Sequence, residues 1–192
     1  MIVHRCLGLA RASVLAAALC GWAAALHADQ HAPELAALFT ELGGAKDVTN
    51  AHPIEQQIWA LWFKAPSDRA AGLLAQARKA VESGELNDAL NVFDQLVGEF
   101  PDYAEGWNQR AIVHFLLNDI DGALADVDKT LALEPRHFGA LSGRGQCFIR
   151  LKRPRDALAA FEATLALNPW LEGITQQADR LRVYVRQQPT AI

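Results

Sequence analysis

Two successive stretches of the chain share one pattern: residues 104–137 read AEGWNQRAIVHFLLNDIDGALADVDKTLALEPRH, and residues 138–171 read FGALSGRGQCFIRLKRPRDALAAFEATLALNPWL. Aligned without gaps, they are identical at ten of 34 positions. Pro101, Pro135 and Pro169 recur at this same interval. Self-similarity at a fixed period of about 20–50 residues is typical of proteins built from stacked structural repeats. The period therefore predicts three repeats, at residues 70–103, 104–137 and 138–171.

Each repeat is predicted to be two helices joined by a tight turn. Ala and Leu dominate the chain, which favours helix over strand. Small residues recur on both helices of each repeat, where two backbones must approach closely: Ala77, Ala89, Ala111, Ala123, Gly145 and Ala157. Ser83-Gly84-Glu85 and Asn118-Asp119 fall where the turns within repeats are expected. Each proline follows a second helix, because the residue before a proline is disfavoured in a helix.

This period and pattern resemble the tetratricopeptide repeat, whose signature is W-x2-L-G-x2-Y, then A-x3-F, then P. The second repeat matches at Trp107, Ala111, Ala123 and Pro135. Departures include Gln76, Arg110 and Arg144 at the first Leu position, and Ala80 and His114 at the aromatic position. The resemblance covers about half the chain. It implies an all-α fold, a right-handed α-solenoid of three helical hairpins whose first helices line a concave groove.

Both ends of the repeat array are predicted to be capped, because the terminal hairpins of a solenoid lack a neighbour to cover them. At the C-terminus, residues 172–192 contain a capping helix, Glu172 to Gln187, and a tail. At the N-terminus, residues 29–69 form a helical hairpin without the signature of the repeats, which can stack as a degenerate repeat. Its Leu38-Phe39-Thr40-Glu41-Leu42 and Ile58-Trp59-Ala60-Leu61-Trp62 stretches resemble the N-terminal hairpin of small exported tetratricopeptide-repeat proteins of proteobacteria.

Residues 1–28 have the pattern of a cleavable signal peptide. Arg5 and Arg11 give a positive start, and the uncharged run ASVLAAALCGWAAAL follows at residues 12–26. This run is within the length of a signal-peptide core and shorter than the roughly 20 residues of a membrane-spanning helix. Small residues allow cleavage after Ala28 or after Ala25. We therefore expect a periplasmic or otherwise exported protein; the alternative is an uncleaved anchor in the inner membrane.

Charge and motifs narrow the functional class. The formal net charge is −4 for the whole chain, and without residues 1–28 it is 16 − 22 = −6. This acidity argues against general nucleic-acid binding. The six histidines lack metal-ligand spacing, and no catalytic or phosphate-binding motif is found. Cys147, the one cysteine outside residues 1–28, is interpreted as a buried apolar residue. The sequence predicts no enzyme activity, no metal and no cofactor.

The concave groove is the candidate binding surface. The resemblance implies that positions 2, 5, 9, 12 and 13 of each first helix face it. Carried onto this chain, these positions and their counterparts in the last helix give the candidate residues Arg78, Glu82, Glu105, Asn108, Phe115, Ser142, Gln146, Arg150, Gln176 and Arg180. Amide and guanidinium groups suit a peptide backbone and carboxylates. The family's carboxylate clamp needs Lys and Asn where this chain has Leu74 and Arg78, so that specific function is not expected.

Two functions of different classes remain open. The first is an interaction module that binds a peptide or protein partner, of unknown identity, in the groove. The second is a structural subunit of a cell-envelope complex, held through its convex face or its N-terminal hairpin. One basic cluster lies at the turn within the third repeat, and it is interpreted as solvated surface or, alternatively, as a contact for acidic lipid headgroups or an acidic partner: Arg150, Lys152, Arg153 and Arg155.

Overall fold

A computed structural model describes residues 33–187, and in this part of the chain the regular secondary structure is α-helix, without a strand. The predicted all-α solenoid is confirmed. The helices, in chain order, are α1 (Pro33–Gly44), α2 (Val48–Phe63), α3 (Asp68–Glu82), α4 (Leu86–Glu99), α5 (Ala104–Leu116), α6 (Ile120–Leu133), α7 (Phe138–Arg150), α8 (Pro154–Leu167) and α9 (Glu172–Gln187). The predicted signal peptide, residues 1–28, lies outside the described residues. None of the helices between residues 33 and 187 combines the length and the apolar character of a membrane-spanning segment.

The turn within each repeat has the same backbone geometry. Gly84, Asn118 and Lys152 occupy equivalent positions of the three repeats and have φ angles of 78°, 62° and 55°. Gly and Asn tolerate this left-handed region, whereas a longer side chain such as that of Lys is strained there. The turns fall where the sequence predicted them, and the third repeat keeps the geometry despite its unfavourable residue.

Small residues bring the two helices of a repeat together. Ala77, Ala89, Ala111, Ala123 and Ala157 are all at most 4% exposed. Gly145 is packed so closely on Phe161 that a Cβ atom there would overlap the phenyl ring. Phe93 and Phe161 are fully buried, whereas Trp107 and Phe148 are only partly buried.

Tyr103 and Phe138 are the large core residues that the sequence analysis missed, at 1% exposure each. Trp107 is partly buried, and its indole donates a hydrogen bond to the Pro101 carbonyl at 2.8 Å while the Arg110 guanidinium lies over its ring.

Ion pairs between repeats explain the arginines that depart from the family signature. Arg110 bonds Asp94 of the preceding repeat at 2.8 Å, and Arg144 bonds Asp128, the equivalent of Asp94 one period later. Arg110 also makes a bidentate contact with Asp126, at 2.7 and 2.8 Å, and this carboxylate is 2% exposed. The bidentate pair, whose geometry is fixed, joins α5 to α6 within the second repeat. The bonds to Asp94 and Asp128 are the ones that link successive hairpins.

The N-terminal hairpin does not stack on the first repeat as a further repeat. Helices α1 and α2 instead share a hydrophobic cluster with Phe138 at the start of α7 and with Leu167, Trp170 and Leu171 after α8. The Trp170 indole donates a hydrogen bond to the Leu42 carbonyl at 3.1 Å. The hairpin thus crosses to the far end of the array, because its large apolar side chains find their partners on the third repeat.

Candidate functional site

Helix α2 crosses the groove at the N-terminal ends of the first helices. Tyr103 and His137 precede α5 and α7 at equivalent positions, and both are buried against α2. The Tyr103 hydroxyl donates to the Phe63 carbonyl at 3.1 Å. His137 stacks on Trp62, with centroids 4.1 Å apart, and meets Trp59 edge-on. One end of the groove is therefore filled by the protein's own hairpin.

Burial has a direct electrostatic consequence for Tyr103. It raises the pKa of the phenol far above its ordinary value of 10, with a smaller contribution in the same direction from Glu105, while Arg78 acts in the opposite direction. Desolvation disfavours the phenolate. The hydroxyl therefore remains protonated and keeps its hydrogen bond to α2 throughout the physiological range.

A buried polar network lies beneath this contact. His137 Nδ1 accepts the Ala140 backbone N–H, so Nε2 carries the proton and donates to Glu105 Oε2 at 2.9 Å. Asn108 and Gln109 also donate to the Glu105 carboxylate, at 3.2 and 2.6 Å. Glu105 and His137 are at most 1% exposed. Buried polar groups need partners, and each member of this set finds one within the protein. The network links α5 to the start of α7, and the stacking of His137 on Trp62 adds the hairpin to the same arrangement.

Beyond the hairpin, the groove contains an apolar pocket of about 380 Å³. Trp59 and Phe63 of α2 form one side. The opposite sides come from α5, α6 and α7, and their apolar lining includes Ala111, Ile112, Phe115, Ala123, Val127, Gly143 and Cys147. Asn108, Gln109 and Gln146 supply the polar atoms. The pocket exists only because hairpin and repeats meet, and its apolar lining suits an apolar group with a few polar contacts.

Two arginines lie on the aromatic walls of this pocket. The Arg78 guanidinium lies 5.3 Å from the centroid of Phe63, and that of Arg150 lies 4.7 Å from the centroid of Phe115. Arg150 also donates to the Asn118 side chain at 2.9 Å. Within residues 33–187 neither arginine forms an ion pair with a carboxylate. Both cations are thus available beside the pocket.

Exposed apolar side chains recur at positions that the repeat pattern predicts to face the groove. Phe115, Ile149 and Val183 occupy equivalent positions, one repeat period apart, near the ends of α5, α7 and α9. Ile149 is 40% exposed and Val183 is 56% exposed, and Phe115 is half-buried. Further exposed apolar residues on the same helices are Ile112, Leu116 and Tyr184. We call Phe115, Ile149 and Val183 the apolar ladder.

The structure brings five of the ten candidate residues together at the pocket. Asn108, Phe115 and Gln146 line it, while Arg78 and Arg150 lie against its walls. Asn108 is only 4% exposed and is already bonded to Glu105. Gln176 and Arg180 are exposed on α9 away from the pocket, and the α9 residue that bonds Gln146 is Gln177. Glu82 and Ser142 do not line the pocket either.

The residues that give the pocket its apolar character were not among the predicted groove residues: Trp59, Phe63 and Ile112. Ile149 and Val183 were not predicted either, because all the candidates except Phe115 are polar. For two of these residues, the repeat position in the sequence indicated a place in the groove. Ile112 and Ile149 occupy positions 9 and 12 of their first helices, which were already predicted to face the groove.

The basic cluster lies at the turn between α7 and α8. Arg153 pairs with Asp156 at 2.7 Å and stacks on Phe148, while Lys152 and Arg155 are exposed. Cys147, one turn earlier, is 2% exposed. Burial raises the pKa of its thiol above the ordinary value, and the Arg150 cation opposes this shift only in part. The thiol is therefore less ionised than an ordinary cysteine, as expected for a packed apolar residue. A membrane contact of the cluster stays a prediction.

Other proteins are similar to this chain in amino-acid sequence. A TPR repeat-containing protein of Rhizobium etli is 33% identical over 132 residues, which are 69% of this chain and 65% of that protein. Tetratricopeptide repeat protein 36 of Bos taurus is 37% identical over 70 residues, 36% of this chain and 37% of its own length. The chain thus spans less than two thirds of the length of these relatives. The Rhizobium protein supports the predicted resemblance to proteobacterial repeat proteins.

Solved structures share the fold at low identity. The first TPR domain of Spaghetti, bound to an HSP90 peptide, has a TM-score of 0.61 and 21% identity, covering 64% of this chain and 98% of that one. The Yersinia enterocolitica chaperone SycD, in complex with a YopD peptide, has a TM-score of 0.59 and 13% identity, covering 62% and 96%. The family model described as tetratricopeptide repeat matches residues 74–133 and 117–169, and the chain belongs to the tetratricopeptide-repeat family.

Proposed function

We propose that this protein is an exported interaction module that binds a peptide or protein partner on its concave face, and that its role is binding and not catalysis. The observation that carries the proposal is the apolar ladder beside the pocket. Contiguous exposed apolar surface on a globular protein marks interaction sites. Two solved structures of similar fold contain bound peptides, an HSP90 peptide on Spaghetti and a YopD peptide on SycD, which supports a peptide-binding role.

The physical basis is burial of the ladder. Removing apolar surface from water is favourable by about 25 cal/mol per Å². A partner that covers Ile149 and Val183 removes side chains that are 40% and 56% exposed from water. Binding energy is commonly concentrated in a few buried anchors within such a patch. The ladder and the pocket therefore supply the affinity, and the polar groups around them supply orientation.

A photoreactive phenylalanine analogue tests the concave face directly. It is placed at Ile149 on the ladder or, as a control, at Lys129, which is exposed on the second helix of the second repeat. Irradiation in a cell-envelope extract is expected to yield a defined cross-linked product from position 149 and none from position 129. Products from position 129 alone would contradict the proposal and favour a contact through the convex face.

Export is part of the proposal and rests on the pattern of residues 1–28. Intact-mass measurement of the protein from the periplasmic fraction is expected to show cleavage after Ala28 or Ala25. A product that still carries Met1 and is found in the cytoplasm would contradict export. That outcome would leave the binding role untouched, because the groove is built from residues after the predicted cleavage sites.

The alternative, a structural subunit held through its N-terminal hairpin, has less support. Exposed tryptophans on the hairpin would favour this alternative. Trp62 is 2% exposed, and Trp59 is half-buried against His137 and Phe138. The aromatic side chains of the hairpin are therefore engaged within the protein, and they are not a free surface for a neighbouring subunit.

A further inference from the structure

Resting on the proposed function, the geometry points to a specific partner chemistry: a peptide that inserts one large apolar side chain into the pocket, with acidic residues on either side of it. The pocket lies between two first helices of the array and the hairpin. Arg78 comes from the first repeat and Arg150 from the third, so the two cations flank the helix α5 that carries the pocket's central lining.

The apolar part of the motif follows from the walls. Trp59, Phe63, Ile112 and Phe115 surround the pocket, and its volume of about 380 Å³ is near the lower end of the range of ligand sites, roughly 300–1,000 Å³. A space of this size accommodates an aromatic or large aliphatic side chain. Anchors of this kind, fully desolvated in a pocket, contribute most of the affinity of an interface.

The pocket is preorganised by the hairpin. Trp59 packs edge-on against Phe138, with centroids 5.3 Å apart. It also lies so close to Gly139 that a Cβ atom there would be 2.5 Å from Trp59 Cη2. The indole therefore has little freedom to move into the space. A wall that is rigid before binding reduces the entropic cost of association.

The acidic part of the motif follows from the charges. Six other arginines of the described chain pair with carboxylates: Arg69, Arg110, Arg136, Arg144, Arg153 and Arg182. Arg78 and Arg150 stack on the pocket walls without such a pair within residues 33–187. The nearest buried carboxylate, Glu105, is saturated by Asn108, Gln109 and His137.

Glu82 is exposed one turn after Arg78 and makes no ion pair within the described residues. The chain as a whole is acidic, at −4. The two arginines attract carboxylates at short range and disfavour cationic peptides, which gives specificity.

The test uses dye-labelled, end-blocked peptides and fluorescence anisotropy with the purified full chain. The parent peptide is Gly-Asp-Glu-Phe-Asp-Glu-Gly. One control peptide has Ala in place of Phe, and a second control peptide has Asn and Gln in place of Asp and Glu. The parent is expected to bind at least tenfold more tightly than either. Its affinity should also fall as salt is raised, because charge pairs at a protein surface are screened.

Two variants separate the apolar and acidic parts. Gly143→Leu fills the pocket, since the site has room for a Cβ atom, with Val127 Cγ2 3.9 Å away. It is expected to weaken the parent peptide tenfold or more. Its control is Gly98→Leu, on α4, where nothing lies within 4 Å of a Cβ atom built on the glycine.

The acidic part is tested by combining Arg78→Gln with Arg150→Gln, which is expected to abolish the preference for the acidic peptide. The control is Arg155→Gln, at an exposed arginine outside the pocket, which leaves the preference intact.

A measurement on the unmodified chain guards against misfolded variants. Cys147 lines the pocket, so the parent peptide should slow its alkylation, and the peptide with Ala should not. Equal binding of all three peptides, or of none, overturns the inference. If position 149 still cross-links a partner in that case, the proposed function stands without this motif; if position 149 also fails, the proposed function falls independently.

Discussion

Trp62 and His137 stack nearly parallel, with ring centroids 4.1 Å apart and an interplanar angle of 13°. They are far apart in the chain, since Trp62 belongs to the N-terminal hairpin and His137 lies at the start of the third repeat. This contact places the hairpin across the groove. It converts an open concave surface into one with a defined pocket, so its removal should affect both stability and binding.

The first prediction compares Trp62 with Trp107. Trp62 is 2% exposed, and Trp62→Ala is expected to cost about 3–5 kcal/mol in the free energy of unfolding. Trp107 is only partly buried, so Trp107→Ala should cost clearly less. Chemical denaturation followed by circular dichroism measures both. Equal losses would mean that the hairpin is not packed as described.

The second prediction concerns two glycines on α7. Gly143→Ala meets no close atom and should stabilise the helix by about 0.5–1 kcal/mol, since Gly is unfavourable within helices. Gly145→Ala overlaps the Phe161 ring and should destabilise by about 1–3 kcal/mol. Thermal melts of the two variants must therefore shift in opposite directions. Shifts of the same sign would contradict the packing of α7 on α8.

The third prediction concerns the turn of the third repeat. Lys152 has a φ of 55°, a conformation that costs an ordinary residue roughly 1 kcal/mol and that Gly adopts freely. Lys152→Gly is expected to raise the melting temperature. At the equivalent position of the first repeat, where φ is 78°, Gly84→Ala should lower it. An unchanged melt for both variants would be inconsistent with a shared turn geometry.

The fourth prediction concerns pH. The pKa of Tyr103 is raised by burial, so the phenol loses its proton more readily in the unfolded chain, whose phenol has a pKa near 10. Tyr103 therefore contributes stability that is fully present below pH 10 and is lost as the pH rises above it.

Tyr103→Phe should remove that alkaline loss. At pH 7 it should cost about 0.5–1.5 kcal/mol, because the hydrogen bond to Phe63 is absent. Tyr184→Phe, at an exposed tyrosine, is the control and should keep the alkaline loss of the unmodified chain. Denaturation curves across pH 7–11 provide the measurement. A Tyr103→Phe variant with the same alkaline slope as the unmodified chain would show that another group causes it.

Much of the repeat architecture was predictable because it follows from local pattern. The constant spacing of prolines and small residues located the helices and turns, and α9 has the bounds expected from its periodicity. The unusual arginines were also visible, but their role was not. Arg110 and Arg144 required the structure, because their partners Asp94 and Asp128 lie 16 residues away in a neighbouring hairpin.

The helical hairpins and the helix faces expected to line the groove follow from residues a few positions apart and from a constant period, so the amino-acid sequence is enough to predict them. The position of the N-terminal hairpin emerges only in the folded protein. That placement depends on Trp59, Trp62 and Trp170 finding partners in distant parts of the chain. Apolar burial is non-directional, so no local pattern encodes which apolar surface a hairpin covers. The pocket forms where the hairpin meets the repeats, so no local pattern encodes it either.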